Sequence, residues 1–200
     1  MLKGLRHGVA LLLLGGLLSG CASTVTPPAR YMLPDSQLAD NPLAPNAASA
    51  RTTLGVRAPR LANYLDVEGI VMQLDDIALF EAREHQWAES LGRQLERGLR
   101  ARLSRALPDY RVVRDEGNTS EAQVLRVEID QFQGRYDGRA VASGQWQLLD
   151  AQGRLLDMQG FHAETELEDD GYPALVRALG KSVDSVADEI AARLRRQRTP

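Results

Sequence analysis

The chain has 200 residues, of which 44% are hydrophobic and 26% are charged, a balance typical of a globular protein of about one domain. Its 27 acidic residues outnumber its 24 basic residues, giving a formal net charge of −3 at pH 7. A mildly acidic chain is a poor candidate for binding nucleic acid or an anionic membrane surface by bulk electrostatics.

The first 20 residues have the composition of a secretory signal peptide. Lys3 and Arg6 form a short basic region, and the segment 9–18 is apolar. This apolar run is too short to cross a bilayer as a permanent helix, which needs about 20 residues, but it matches the core of a signal peptide. It leads into Leu18-Ser19-Gly20-Cys21, which resembles the lipobox of bacterial lipoproteins. We therefore expect cleavage between Gly20 and Cys21.

Cys21 is the candidate lipidation site, because a thiolate can take a diacylglyceryl group. It is the only cysteine, so an intramolecular disulfide is impossible, and the alternative is a buried or free thiol. We expect no cofactor beyond the N-acyl and S-diacylglycerol groups on this residue. Ala22 follows, where enteric-type bacteria place Asp to retain lipoproteins in the inner membrane. The expected location is therefore the outer membrane, on its periplasmic face.

The mature chain is predicted to consist of an acylated tether, 21–29, and a single domain, 30–198. Loss of the signal peptide removes two basic residues and leaves a net charge of −5. Arg30–Leu33 is a candidate strand, and 35–51 is rich in Ala, Pro, Asn and Asp and is predicted to be a loop. If the strand belongs to the domain, the tether has about eight residues and reaches at most ~27 Å.

The next part of the domain is predicted to contain three short strands and one long helix. Leu91, Leu95, Leu99 and Leu103 recur every four residues after Trp87, which is typical of an amphipathic helix. Pro108 would stop that helix. The predicted elements are strands at 54–58, 69–73 and 77–80, one helical turn at 61–65, and a helix at 84–107.

The last part is predicted to hold four strands and a second helix. Residues 124–131 alternate between apolar and polar side chains, which is typical of a strand with one buried face. The turn 151–154 would join two strands into a long hairpin. The predicted elements are strands at 110–113, 124–131, 140–150 and 155–168, and a helix at 172–196. The fold class is α+β: a mostly antiparallel sheet with two long amphipathic helices packed on one face.

The mature chain offers few candidates for catalysis. Its two histidines, His85 and His162, lack the spacing of a metal site. Glu164, Glu166 and Glu168 alternate along one strand, which favours a solvated face over a catalytic carboxylate pair. The sequence contains neither a Gly-rich phosphate loop in a strand–helix context nor a nucleophile elbow. These features favour a binding or assembly protein over an enzyme, and we expect no metal.

Three short runs carry a resemblance to a known family: Tyr64-Leu65-Asp66, Ile70-Val71 and Trp87-Ala88-Glu89-Ser90-Leu91. With Val127–Phe132 and the strand around Trp146, they resemble the paraquat-inducible protein C family, the auxiliary lipoproteins of MCE-type intermembrane transport systems. Ser90 stands where that family often has proline. The resemblance covers essentially the whole mature chain, and the order and spacing of the runs carry it.

The resemblance implies a non-enzymatic role. Such a lipoprotein would sit on the outer membrane and dock the far end of an inner-membrane-anchored MCE protein, which forms a lipid channel across the periplasm. Family members would assemble as homo-oligomeric rings. The segment with Tyr64, Leu65, Asp66 and Ile70 is the candidate partner-binding site, although it could equally serve to pack the element carrying Trp87.

Three other functions share some of these features. An outer-membrane lipoprotein that activates a peptidoglycan synthase would have the same anchor and a small α+β domain, but needs a long arm to cross the cell-wall mesh. A chaperone-like binder of a single lipid needs a dry pocket of about 300 Å³ or more. An enzyme is the third alternative, and the missing catalytic motifs disfavour it most.

Overall fold

A computed structural model of the protein describes residues 27–34, 50, 52–117 and 122–198. The signal peptide, Cys21 and nearly all of the predicted loop 35–51 lie outside the described residues. In chain order the elements are β1 (Ala29–Tyr31), β2 (Thr52–Val56), β3 (Arg60–Leu61), a 3-10 turn (Asn63–Leu65), β4 (Gly69–Gln73), β5 (Leu79–Trp87), α1 (Leu91–Ala106), β6 (Tyr110–Arg114), β7 (Gln123–Arg135), β8 (Arg139–Leu149), β9 (Leu155–Glu166) and α2 (Tyr172–Arg198).

The strands form one curled sheet organised around β7. β2, β3 and β4 lie one after another along the same edge of β7, each parallel to it, and β8 and β9 continue the sheet antiparallel on its other side. β6 is parallel to β2, β5 is antiparallel to β4, and β1 is parallel to β5. The α+β class and the two helices are confirmed, but the sheet is mixed, so the prediction of a mostly antiparallel sheet is not supported. Period-two alternation reveals which face of a strand is buried and not the direction in which it runs.

The core lies between the sheet and the two helices. The leucines at 91, 95, 99 and 103 of α1 are buried, as predicted from their spacing, and so is the stripe of α2 that includes Leu179 and Ile190. These stripes join the inward side chains of β7 and the indole of Trp146 in one hydrophobic cluster. Complete burial of each leucine stabilises the fold by about 1.5–3 kcal/mol. Within the described residues, neither helix is both long and apolar enough to span a bilayer.

Helix α1 begins at Leu91, so its predicted start near residue 84 is wrong. Residues 84–87 belong to β5, and the backbone N–H of Trp87 donates a hydrogen bond to the Glu68 carbonyl at 2.8 Å. Trp87 is buried, as expected for a core residue, but its four-residue spacing from Leu91 does not reflect a shared helix. Ser90, where the resembling family often has proline, immediately precedes α1, a position at which proline costs no helical hydrogen bond.

Candidate partner-binding site

The segment after the tether is fastened to the domain at three places. β1 pairs with the end of β5, and the Tyr31 carbonyl accepts a hydrogen bond from the Ala88 N–H at 2.8 Å. The Leu33 N–H donates to the side-chain oxygen of Gln94 at 2.8 Å. Pro34 packs against Gly180 so closely that a Cβ at position 180 would lie 2.7 Å from its ring. We call residues 29–34 the strap. The strand near Tyr31 is therefore part of the folded domain.

The two histidines of the predicted mature chain, His85 and His162, contact neighbouring side chains of the domain. The Nδ1 atom of His85 is 2.9 Å from the Tyr31 hydroxyl, and its ring stacks on Tyr172 with 3.9 Å between centroids. His162 is exposed and lies 3.2 Å from Glu164. Within the described residues, no group of three or more His, Cys, Asp or Glu side chains is arranged to hold a metal ion.

Glu164, the first carboxylate of the predicted row, forms ion pairs on the surface of β9. Glu164 bonds Arg135 at 2.7 Å and Arg139 at 2.8 Å. Hydrogen bonds from Arg139 and His162 hold the pKa of Glu164 below its ordinary value. A carboxylate kept ionised by two guanidinium groups is a poor general acid or base near neutral pH. This geometry agrees with the predicted solvated strand face.

Tyr64 fastens the 3-10 turn to the central strand. Its hydroxyl lies 2.7 Å from the Asp130 carbonyl and 2.7 Å from the side-chain oxygen of Gln133, so it can donate to either acceptor. Burial, and then the charge of Asp130, raise the pKa of the Tyr64 hydroxyl. The residue therefore stays protonated and acts as a hydrogen-bond latch that fixes the loop leading into β4.

The four residues proposed to bind a partner divide into two groups. Leu65 and Ile70 are fully buried in the core, so they could influence a partner only by positioning their neighbours. Tyr64 is half-buried and Asp66 is exposed. Gly69, the first residue of β4, lies so close to β5 that a Cβ at this position would be 2.4 Å from the Ala82 carbonyl. Of the four, Asp66 presents the most accessible side chain to a binding protein.

Asp66 opens into a cleft of about 320 Å³, which we call the Asp66 cleft. Three separate segments form it: the strap, the loop between the 3-10 turn and β4, and the junction of β5 with α1. Its walls are Arg30, Asp66, Val67, Glu68, Trp87, Ala88, Glu89 and Ser90. This cleft is not predictable from the sequence, because no local pattern shows that segments 30, 66–68 and 87–90 meet.

The cleft is acidic. Three carboxylates line it, on Asp66, Glu68 and Glu89, against the single guanidinium group of Arg30. Glu89 pairs with Arg97, and the hydrogen bond from that guanidinium holds the pKa of Glu89 below its ordinary value. The charged lining makes the cleft a poor site for a lipid tail, but it suits a protein segment that offers basic or hydrogen-bond-donating side chains.

Two comparisons of sequence find the same kind of relative. The family model for the ABC-type transport auxiliary lipoprotein component matches residues 31–191. The chain is 33% identical over 179 residues to the intermembrane transport lipoprotein PqiC of Escherichia coli K12, covering 90% of this chain and 92% of that protein. The PqiC protein of Shigella flexneri matches with the same identity and coverage.

Solved structures share the fold. A crystal structure of an uncharacterized protein is 30% identical and superposes with a TM-score of 0.72, covering 84% of this chain and 99% of that one. A protein from Xanthomonas campestris, at 18% identity and a TM-score of 0.61, covers 86% of this chain and 98% of its own and indicates the fold alone.

Proposed function

Because the chain belongs to the family of ABC-type transport auxiliary lipoprotein components, we propose that it is a non-enzymatic lipoprotein of an intermembrane lipid transport system, docking an MCE-type partner at the outer membrane. The observation that carries the proposal is the similarity to the intermembrane transport lipoprotein PqiC, which extends over 90% of the chain. The family model spans residues 31–191, which include all of α1 and most of α2.

The anchor in this proposal is Cys21, acylated after removal of residues 1–20. The strap begins at Ala29, so about eight residues separate the lipid from the folded domain, and their reach is at most ~27 Å. A domain held this close to the bilayer has a high effective concentration for a partner that arrives at the same membrane. Acyl chains on the N-terminus and on the thiol together would give durable anchoring, which one chain alone does not.

The docking surface in this proposal is the Asp66 cleft. Its excess of carboxylates favours a partner segment that carries Arg or Lys. The adjoining buried residues, Leu65 and Ile70, would hold the loop rigid, and a rigid surface loses less entropy on binding. Charge reversal at Asp66 should therefore slow association, and raising the ionic strength should weaken binding of the unaltered protein.

The short tether argues against the peptidoglycan synthase activator. That function needs an arm that passes through the cell-wall mesh, whereas the strap ties the chain to the domain from Ala29 onwards. The loop 35–51 follows the strap in the chain and so cannot lengthen the path from Cys21 to the domain.

Photo-crosslinking from the cleft in living cells tests the docking surface. A photoreactive amino acid would replace Asp66 in one strain and Ser90 in another, with exposed Gln159 on β9 as the matched control position. We expect adducts with an MCE-domain protein from the two cleft positions and not from Gln159. Adducts with a penicillin-binding protein, or equal MCE adducts from all three positions, would contradict the proposal.

A ring of copies remains a prediction, which native mass spectrometry of the detergent-extracted lipoprotein tests.

A further inference from the structure

One end of the sheet carries a concentration of exposed apolar side chains. Nine large hydrophobic residues are exposed in the described part of the chain, and five of them lie where β4 turns into β5 and beside that turn. We call these five residues the apolar tip: Leu74, Ile77, Leu79, Phe80 and Tyr136. Tyr136 belongs to the group because β4 and β7 pair as far as Gln73 and Arg135. The residues that follow, Leu74 and Tyr136, therefore lie side by side.

The turn that carries the apolar tip is held by hydrogen bonds. The Asp75 carboxylate accepts hydrogen bonds from the Ile77 N–H at 2.9 Å and the Ala78 N–H at 2.7 Å. The Leu74 N–H donates to the Ala78 carbonyl at 2.9 Å. This closed turn holds Ile77 outward, where 87% of the residue is exposed. A structured turn that concentrates exposed apolar side chains at one end of a sheet indicates a surface that something covers.

The first strand, β1, runs away from the apolar tip. β1 is parallel to β5, and β5 begins at the apolar tip, so the chain before Ala29 approaches the domain from the tip side. Arg30, the residue after Ala29, is level with Gly69, because both pair with Gln86, and β4 runs from Gly69 four residues, about 13 Å, to the tip. The ~27 Å reach of the tether therefore spans the distance from Ala29 to the level of the tip and beyond.

We propose that the apolar tip inserts into the interfacial region of the bilayer that holds the acyl chains of Cys21. This inference rests on the anchoring given under the proposed function, and not on the identity of the docking partner. The aliphatic side chains would enter the boundary between headgroups and acyl chains, and Tyr136 has the amphipathic ring favoured at that depth.

The charged residues near the apolar tip indicate which kind of lipid surface it fits. Residues 74–80 include Asp75 and Asp76 and contain no basic residue. Arg135, beside Tyr136, is paired with Asp137 and Glu164, so the tip has no excess of positive charge to attract anionic headgroups, and the apolar contact must drive insertion. The tip fits a zwitterionic phospholipid surface, and added anionic lipid should leave its insertion unchanged or weaken it.

Insertion of the tip would give the domain two attachments to one membrane. An acyl tether alone leaves a domain free to rotate, whereas a second contact fixes its orientation. The Asp66 cleft lies at the other end of the β4–β5 pair, between the start of β4 and the end of β5. The same contact that holds the tip in the membrane would therefore turn the cleft towards the periplasm, where a partner arrives.

A single engineered cysteine measures the depth of the tip, because Cys21 is the only natural cysteine and acylation blocks its thiol. Ile77→Cys and, as a second probe, Phe80→Cys would be made in the full mature lipoprotein and labelled with an environment-sensitive fluorophore. Leu156→Cys is the matched control, because Leu156 is 47% exposed on the hairpin at the opposite end of the sheet. Each protein would be reconstituted into vesicles of phosphatidylcholine with lipids brominated near the carbonyl.

We expect a blue-shifted emission and strong quenching by the brominated lipids at positions 77 and 80, and neither at position 156. Equal, water-like emission at all three positions would overturn the proposal. So would shielding of position 77 that needs an added MCE-domain protein, or that appears without lipid as protein concentration rises, since these mark a partner or a second copy. Intact mass reports acylation of Cys21 separately, so a missing anchor is distinguished from a tip that stays in water.

Discussion

Gln94 is the residue whose replacement tests the strap most directly. It is 2% exposed, its side-chain oxygen accepts a hydrogen bond from the Leu33 N–H at 2.8 Å, and its side-chain nitrogen donates to the Glu89 carbonyl at 2.9 Å. Gln94→Leu keeps the volume and the helix propensity and removes both hydrogen bonds. A backbone donor and a backbone acceptor would then lose their partners at the junction between the strap and α1.

The expected loss of stability follows from the desolvation of these two backbone groups. A buried polar group left without a partner costs about 1–3 kcal/mol. Both contacts are only partly buried, so water can reach the abandoned groups, and the lower part of that range applies to each. We expect a loss of about 2 kcal/mol in the free energy of unfolding. At this chain length 1 kcal/mol corresponds to about 2–4 °C, so the melting temperature should fall by about 4–8 °C.

Two assays on the mature protein in detergent check this expectation. Thermal unfolding followed by circular dichroism gives the change in melting temperature, and limited trypsin digestion reports how often the strap opens to expose the bond after Arg30. Gln152→Leu, the same chemical change in the exposed turn before β9, is the control and should alter neither. A Gln94→Leu variant that melts and is cleaved like the unaltered protein would refute the account of the strap.

Other predictions concern the latch, the sheet and one ion pair. Tyr64→Phe should cost about 1–2 kcal/mol in urea unfolding, because it removes the hydroxyl that holds the 3-10 turn to β7. Gly144→Ala would place a Cβ 2.0 Å from a backbone carbonyl of β7, so we expect about 3 kcal/mol or more, or no folded protein. The matched change Gly160→Ala, whose nearest neighbour would be 3.7 Å away, should cost under about 1 kcal/mol, and equal costs would contradict the close-packing argument. The hydrogen bond from Arg193 lowers the pKa of Asp157 below its ordinary 3.8, so this pair adds stability above that pH and loses it as the pH falls through the lowered pKa. Asp157→Asn should therefore be less stable at pH 7 and lose less stability on acidification, and parallel pH profiles of unfolding would rule this out.

Much of the fold was predictable from periodicity. The leucine stripe of α1 and the long apolar stripe of α2 identified two core-facing helices, because side chains at helical spacing share one face. Alternation from residue 124 to 131 identified β7, and the turn 151–154 identified the β8–β9 hairpin. Each of these signals is local, and burial of one face is enough to produce it.

The remaining features depend on contacts between distant segments. Trp87 has the spacing of a helix residue but lies in a strand. Its backbone pairs with Glu68 and with the strap, which are distant in the sequence. The direction of β2, β3 and β4 relative to β7 is set by how the chain returns, which alternation does not encode. The Asp66 cleft joins three segments, and of its walls only Asp66 is among the four residues predicted to bind a partner, two of which, Leu65 and Ile70, are buried.

In the proposed function, Cys21 anchors the lipoprotein to a membrane, and the protein serves an intermembrane transport partner there. Crosslinked affinity purification of the full-length protein from native envelopes, followed by mass spectrometry, tests it most directly, with Cys21→Ala as the control for anchoring. We expect recovery of an MCE-domain protein that is lost or weakened in the Cys21→Ala form. Recovery of a penicillin-binding protein without any MCE-domain protein would contradict it.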